Sequence, residues 1–261
     1  MPLSLLPARR LVMPPAEAFV TYDDADYPGG TYAAYNYLSS PVARVKTLHF
    51  EIALMWTSDR FGSHAIDFGC ADGFFLPSLS RYFEQGFAVD RHPPFLDHAR
   101  GVASRLGLRN VSVIDNADLS WPELRELVGD DCRVLYLLET LEHVGDPADL
   151  YPSKIRFLNE LFGLLAANGR IVVSVPTMVG LPFLAQRAVL RVLRMEREPI
   201  TARQLLDAVL RKDTDALEAD WNTWRHLGFN HVKLEAAMRR EFRIVRAWSI
   251  GVAQIYMLAR R

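Results

Sequence analysis

The chain is poor in cysteine, in charge of one sign and in long apolar runs, and each shortage excludes something. Its two cysteines, Cys70 and Cys132, lie in apolar, strand-like stretches, which excludes a disulfide scaffold and points to a reducing compartment. The 30 basic and 31 acidic residues leave a net charge of −1, so nothing draws the whole molecule to nucleic acid, and no such partner is expected. No apolar run approaches the length of a membrane span, and there is no internal repeat or low-complexity tract. The opening "MPLSLLPARRLVMPP" places arginines after a short apolar patch and reads as a poor export signal, so a soluble, cytoplasmic protein is expected. What is present is ample apolar material: half of the 261 residues are hydrophobic and 23% are charged, enough for one α/β domain with elaborations.

Between residues 64 and 175 short apolar runs alternate with amphipathic stretches. "HAIDFG", "GFAVD", "VSVI", "RVLYLL" and "RIVVSV" read as strands. "FLPSLSRYF", "PPFLDHARGVASRLG", "WPELRELVG" and "ADLYPSKIRFLNELFGLLAANG" read as the helices between them. In the last, Ile155, Leu158, Leu161, Phe162 and Leu165 recur at helical spacing, and Asn168-Gly169 is the expected stop. Such alternation implies a parallel sheet with right-handed crossovers. The C-terminus breaks the rhythm. "FRIVRAWS" and "VAQIYMLA" are separated by only Ile250 and Gly251, too few residues for a helix, so an antiparallel hairpin is expected.

One stretch carries the chemistry. In "DFGCADG" the small residues Gly69, Ala71 and Gly73 alternate between the end of a strand, marked by Asp67, and the start of a helix. This arrangement lets a ligand lie against bare backbone. Asp90 ends the next strand, where a carboxylate can accept both hydroxyls of a ribose. The pair reads as a nucleoside site. Dinucleotide binding needs a further glycine where Phe74 stands, and the terminal hairpin does not continue a doubled nucleotide-binding pattern. The competing structural reading makes these glycines tight turns and Asp90 a helix cap before "HPPFLDHAR".

Over roughly residues 60 to 261 the chain resembles the class I S-adenosylmethionine-dependent methyltransferases. "DFGCADG" is similar to their first motif, with Ala71 where glycine is commonest, and "AVD" to their acidic motif. "NADLSW" lies where the family contacts adenine, and "LLETLEHVGDP" is similar to the LEHV-type segment of small-molecule and lipid-pathway members. The resemblance implies a Rossmann-like, seven-stranded, mostly parallel sheet with a C-terminal antiparallel hairpin and helices on both faces. It implies S-adenosylmethionine held by Asp67, Gly69, Cys70, Ala71, Gly73, Asp90, Arg91 and Glu139, with Asn116-Ala117 or Asp118 at the adenine. It also implies a methyltransferase acting on a small-molecule, sugar or lipid-linked acceptor, oxygen before nitrogen. A binding protein that keeps the pocket without turnover is the alternative.

Methyl transfer asks the protein to align an acceptor and, for a hydroxyl, to take its proton. Glu139, Glu142 and His143 cluster after the fourth strand. His143 is the first candidate base, since imidazole titrates near neutrality, and His226 joins it as a catalytic candidate. Alternatively His143 and Glu142 brace the loop. A third reading makes Glu139, Glu142 and His143, with His226 or His231 of "RHLGFNH", a divalent-metal site for an ion such as Mg²⁺. It looks like the motif of small-RNA 2′-O-methyltransferases and ubiquinone-pathway O-methyltransferases.

The rest divides into an N-terminal arm with helices, residues 1–60, and the domain proper, 61–261, with a helical insertion at 177–240. The arm holds five of the nine tyrosines within residues 22 to 37, as an aromatic lid or as packing on flanking helices. The stretch 178–194 sets Leu184, Val189, Leu190 and Val192 among Arg187, Arg191 and Arg194. It reads as a pocket cover or as a helix making peripheral contact with an anionic membrane.

Overall fold

The computed structural model describes residues 10–19, 31–38, 43–192, 200–219, 221–223 and 226–261. The chain divides into two units, 1–134 and 135–261. Seven strands make one mixed sheet in the order β3-β2-β1-β4-β5-β7-β6. They are β1 His64–Phe68, β2 Gln85–Asp90, β3 Val111–Asp115, β4 Cys132–Leu138, β5 Arg170–Pro176, β6 Arg243–Ser249 and β7 Ala253–Ala259. This is the Rossmann-like mixed sheet with a C-terminal antiparallel pair that the sequence implies.

In the first unit, β1 pairs parallel with β2, setting Asp67 against Ala88, and β2 pairs parallel with β3, setting Asp90 against Asp115. The register matters for function, because the two strands end together and their C-terminal residues start adjacent loops. The helices here are α1 Ala43–Lys46, α2 Leu48–Trp56, α3 Leu76–Tyr82, α4 Pro93–Arg105 and α5 Trp121–Val128. Proline at the first turn of α4 is preset for a helix start, and Leu96, Ala99 and Val102 form its buried stripe. α5 begins with a capping box. The Ser120 hydroxyl accepts from the Glu123 amide, and the Glu123 carboxylate accepts from the Ser120 amide.

The second unit holds α6 Leu150–Gly163, α7 Gly180–Val192, α8 Ala202–Leu206, α9 Asp215–Glu218 and α10 His231–Glu241. α6 stops at Gly163, short of Asn168-Gly169. There the amides of Leu164 and Leu165 bond back three residues, to Leu161 and Phe162, which turns both leucines into the core. β7 pairs antiparallel with β5 and β6, as expected, but the hairpin turn takes three residues, Ile250 to Val252. Between Ile244 and Arg246 the register slips by one residue on β6, a bulge that sharpens the twist of this terminal strand. Most of the 178–194 stretch becomes α7, while Arg194 lies outside the described residues. Arg187, expected among its surface arginines, is instead buried.

Candidate functional site

In the first unit the loop after β1 is built onto the end of β2. The amides of Gly69 and Cys70 both donate to the Val89 carbonyl, at 2.8 and 3.1 Å. The next amide, of Ala71, donates to Asp90 Oδ2 at 2.9 Å, and Asp90 Oδ1 accepts from the amides of Arg91 (2.7 Å) and His92 (3.0 Å). Asp90 is therefore no helix cap: His92 holds that position in α4, without a side-chain cap bond. An ionised carboxylate offers about four lone-pair sites, and three are taken. One ribose hydroxyl can be accepted without breaking anything; a second requires an amide to let go. Arg91 itself is exposed, and its link to the site is its backbone.

Gly69, Ala71 and Gly73 all have positive φ, the last two for different reasons. At Gly73, φ is +89°, and a Cβ would lie 2.9 Å from Leu76 Cδ1 and 3.0 Å from Ala99 Cα, so α4 fills the space a side chain would need. Ala71 sits at φ +46° despite its Cβ, a conformation that costs an L-residue about 1–2 kcal/mol. We expect Ala71→Gly to hold or raise stability by up to about 1 kcal/mol, and Gly73→Ala to lower it by about 1–3 kcal/mol. Urea titration of the two variants reads this difference; equal midpoints would mean the loop is not shaped as described.

Asp67 is buried, and burial first, then the neighbouring Asp90 charge, pushes its carboxyl from 3.8 up to about 7. The folded chain thus keeps a proton that the unfolded chain releases near 3.8. Stability from this group is intact below that value and is lost as pH rises toward 7, by an amount on the order of 4 kcal/mol. Asp67→Asn should flatten this slope, matching wild type at pH 4 and exceeding it at pH 7 in urea midpoint. An unchanged slope would show that Asp67 titrates normally.

The described part of the aromatic arm packs against this loop. Asp72 Oδ2 accepts from the Ala33 amide at 2.6 Å, and burial raises the Asp72 carboxyl to about 6. The Tyr37 ring lies 4.6 Å from Phe74 and 5.3 Å from Phe50, and Tyr32 lies 6.0 Å from Phe95. Tyr22 and Tyr27 lie outside the described residues. After β3, the Asn116 amide donates to the Asp90 carbonyl and the Ala117 amide to Asp115 Oδ1. Asp118 is exposed, whereas Asn116 Oδ1 is buried without a hydrogen-bond partner.

In the second unit, Glu139 leaves β4 at φ +54° and is locked to β5. Its amide donates to the Ser174 carbonyl and hydroxyl, and that hydroxyl donates to Glu139 Oε1 at 2.9 Å. A single 3₁₀ turn, Leu141–His143, then presents Glu142 and His143. Glu142 is fully buried, and neither carboxylate oxygen has a hydrogen-bond partner. Its Oε1 lies 3.8 Å from His143 Nε2 and 3.7 Å from His226 Nδ1, and the two imidazole centres are 4.7 Å apart. His143 Nδ1 lies 2.8 Å from the Thr223 carbonyl. A carbonyl only accepts, so Nδ1 carries the proton and Nε2 has a free lone pair. Burial also lowers the His143 pKa, which favours this neutral form.

Of the four expected metal-site residues, Glu142, His143 and His226 come together with candidate donor atoms within 4.8 Å of one another; Glu139 is not in that group. Nor is His231, which starts α10 as a buried residue with its pKa lowered to about 4 by burial. The sequence reading missed Lys154. Its Nζ donates to the carbonyls of Leu141 (2.8 Å), Glu142 (3.2 Å) and Val144, and lies over the Trp221 ring at 4.8 Å. Burial pushes the Glu142 carboxyl up and the Lys154 ammonium down, each opposed by the other's charge; the three carbonyls favour the ammonium. The available signal was a lysine four residues from Leu150 and from Leu158, on the buried stripe of α6.

No protein-family model matches the chain, and no curated protein matches it in sequence. Solved structures do resemble it. The PH0226 protein of Pyrococcus horikoshii OT3 is 16% identical with a TM-score of 0.54, over 88% of this chain and 96% of that one. The N-methyltransferase NodS of Bradyrhizobium japonicum WM9, in complex with S-adenosyl-L-homocysteine, is 13% identical with a TM-score of 0.52, over 94% and 96%. An O-methyltransferase family protein of Burkholderia thailandensis is 15% identical with a TM-score of 0.53, over 84% of this chain and 57% of its own. At such identities the likeness establishes a shared fold.

Proposed function

We propose that the protein is an S-adenosylmethionine-dependent methyltransferase acting on a hydroxyl-bearing small molecule, sugar or lipid-linked acceptor. The observation that carries this reading is the preformed join of the β1 loop to Asp90 at the end of β2, in a fold shared with methyltransferases. The cofactor supplies an activated methyl group on a sulfonium. On this reading the bare backbone at Gly69, Ala71 and Gly73 receives its amino-acid end, beside Asp67 and Cys70, and the free lone pair of Asp90 accepts a ribose hydroxyl. Asn116 Oδ1, an acceptor lacking a donor, suits the exocyclic amine of adenine, while the Ala117 amide is already committed and Asp118 is turned to solvent. Incubation with S-adenosylmethionine and an acceptor panel, read as S-adenosyl-L-homocysteine formed, tests the activity; binding without product from any acceptor class would favour a non-catalytic binding protein.

A second reading concerns the unsatisfied Glu142. A buried carboxylate with two unpartnered oxygens, beside two imidazoles, is a donor set that fits a divalent cation. The Thr223 carbonyl orients His143 in the manner of an outer-shell partner. Two nitrogens and one carboxylate suit Mn²⁺, Fe²⁺, Co²⁺ or Zn²⁺ better than the all-oxygen preference of Mg²⁺. Without an ion, His143 Nε2 is the base that takes the acceptor proton. Titration with Co²⁺ should develop visible absorption in the wild type, and His226→Ala should weaken that binding at least about tenfold. Full activity after exhaustive chelation, with no absorption band, would leave His143 as base or brace.

A further inference from the structure

α7 is amphipathic the wrong way round. Its buried side carries Phe183 and Arg187, while Leu181 (72% exposed), Leu184, Val189 and Val192 (81% exposed) stand in solvent. α7 packs against the turn at residues 207–211, and beside it Leu206 and Leu210 (73% exposed) are also bare. A helix buried on one side ordinarily turns its polar residues outward, and a contiguous apolar face marks a surface that meets something else. The charges around it are lopsided. Residues 180–192 and 200–211 hold four arginines and one aspartate, a formal +3, in a chain whose net charge is −1. Of the arginines, Arg191, Arg203 and Arg211 are exposed, and the single aspartate, Asp207, is shared between Arg203 (3.9 Å) and Arg211 (2.8 Å).

We infer that this face docks on an anionic lipid bilayer, with the leucines and valines entering the interface and the three exposed arginines meeting lipid phosphates. A second copy of the chain would set two like-charged rims against each other, whereas an anionic bilayer satisfies both the apolar and the basic parts. No helix among the described residues is long and apolar enough to cross a membrane, so the contact is peripheral. This inference is independent of the cofactor reading; if both hold, it narrows the acceptor to a lipid-anchored compound.

Co-sedimentation of the full chain with phosphatidylcholine–phosphatidylglycerol vesicles, alongside pure phosphatidylcholine vesicles, tests it. The expected result is binding to the anionic vesicles at low salt, weakened by added salt. The double variant Leu181→Glu/Leu210→Glu should bind at least about tenfold more weakly, with S-adenosyl-L-homocysteine affinity unchanged. Arg191→Gln/Arg203→Gln should lose the preference for anionic vesicles. The inference is overturned if the wild type ignores vesicles at low salt, or if the glutamate variant binds as well as the wild type. It is equally overturned if the wild type is a dimer in solution that the glutamate variant dissociates, which would assign the face to a second copy.

Discussion

Asp90→Ala should weaken S-adenosyl-L-homocysteine binding by about 10- to 150-fold, the value of one charge-assisted hydrogen bond of roughly 1.5–3 kcal/mol. The range follows from the lone-pair count: three backbone amides already occupy the carboxylate, leaving one site for a ribose hydroxyl. The same amides predict a second consequence. Without the carboxylate, Ala71 loses the partner that draws the loop toward β2, so the variant should unfold at lower urea concentration as well. Asp90→Asn separates the two effects. Its side-chain oxygen can keep one amide bond, so it should recover more stability than affinity. Calorimetric titration showing near-wild-type affinity in a folded Asp90→Ala protein would remove Asp90 from the cofactor site.

Lys154→Met should cost about 3–5 kcal/mol of stability, the largest single effect we expect. The substitution leaves the carbonyls of Leu141, Glu142 and Val144 without their donor, and it strips the buried Glu142 carboxylate of its neighbouring positive charge. The turn that presents Glu142 and His143 would lose what holds it. Adding Glu142→Gln to Lys154→Met removes the orphaned charge too, so the double variant should lose less than the sum of the singles, by at least about 1 kcal/mol in a double-mutant cycle. Lys154→Arg should not rescue, because a planar guanidinium cannot direct three donors at three carbonyls around one nitrogen. Additive losses would show that Lys154 and Glu142 do not share one network.

What the sequence revealed follows from what is local. The strand–helix alternation, the loop after β1, the acid ending β2 and the terminal hairpin are each written within a few consecutive residues. The hairpin's bulge at Val245 is not, because period-two alternation marks a strand while a bulge depends on its partner. Lys154 escaped for a similar reason. Helical spacing marks Leu158, Leu161, Phe162 and Leu165, all of them buried, but it puts Ile155 on the stripe where Lys154 is the buried residue, and the carbonyls that make burial of a lysine tolerable belong to another element. For a metal ligand the sequence offers His226 or His231 of one short stretch, with His226 the catalytic candidate. The fold separates them, since His231 is drawn into α10 while His226 stays in the loop before it, beside Glu142. The outward apolar face of α7 was legible as composition, but which arginine faced inward was not.

If the loop after β1 is a nucleoside site for S-adenosylmethionine, isothermal titration of the wild-type chain with S-adenosyl-L-homocysteine detects it most directly. Saturable binding at one site per chain, with matching thermal stabilisation and none from NAD or ATP, is the predicted result. No heat and no stabilisation from either S-adenosylmethionine or S-adenosyl-L-homocysteine, in a chain that unfolds cooperatively, would contradict it.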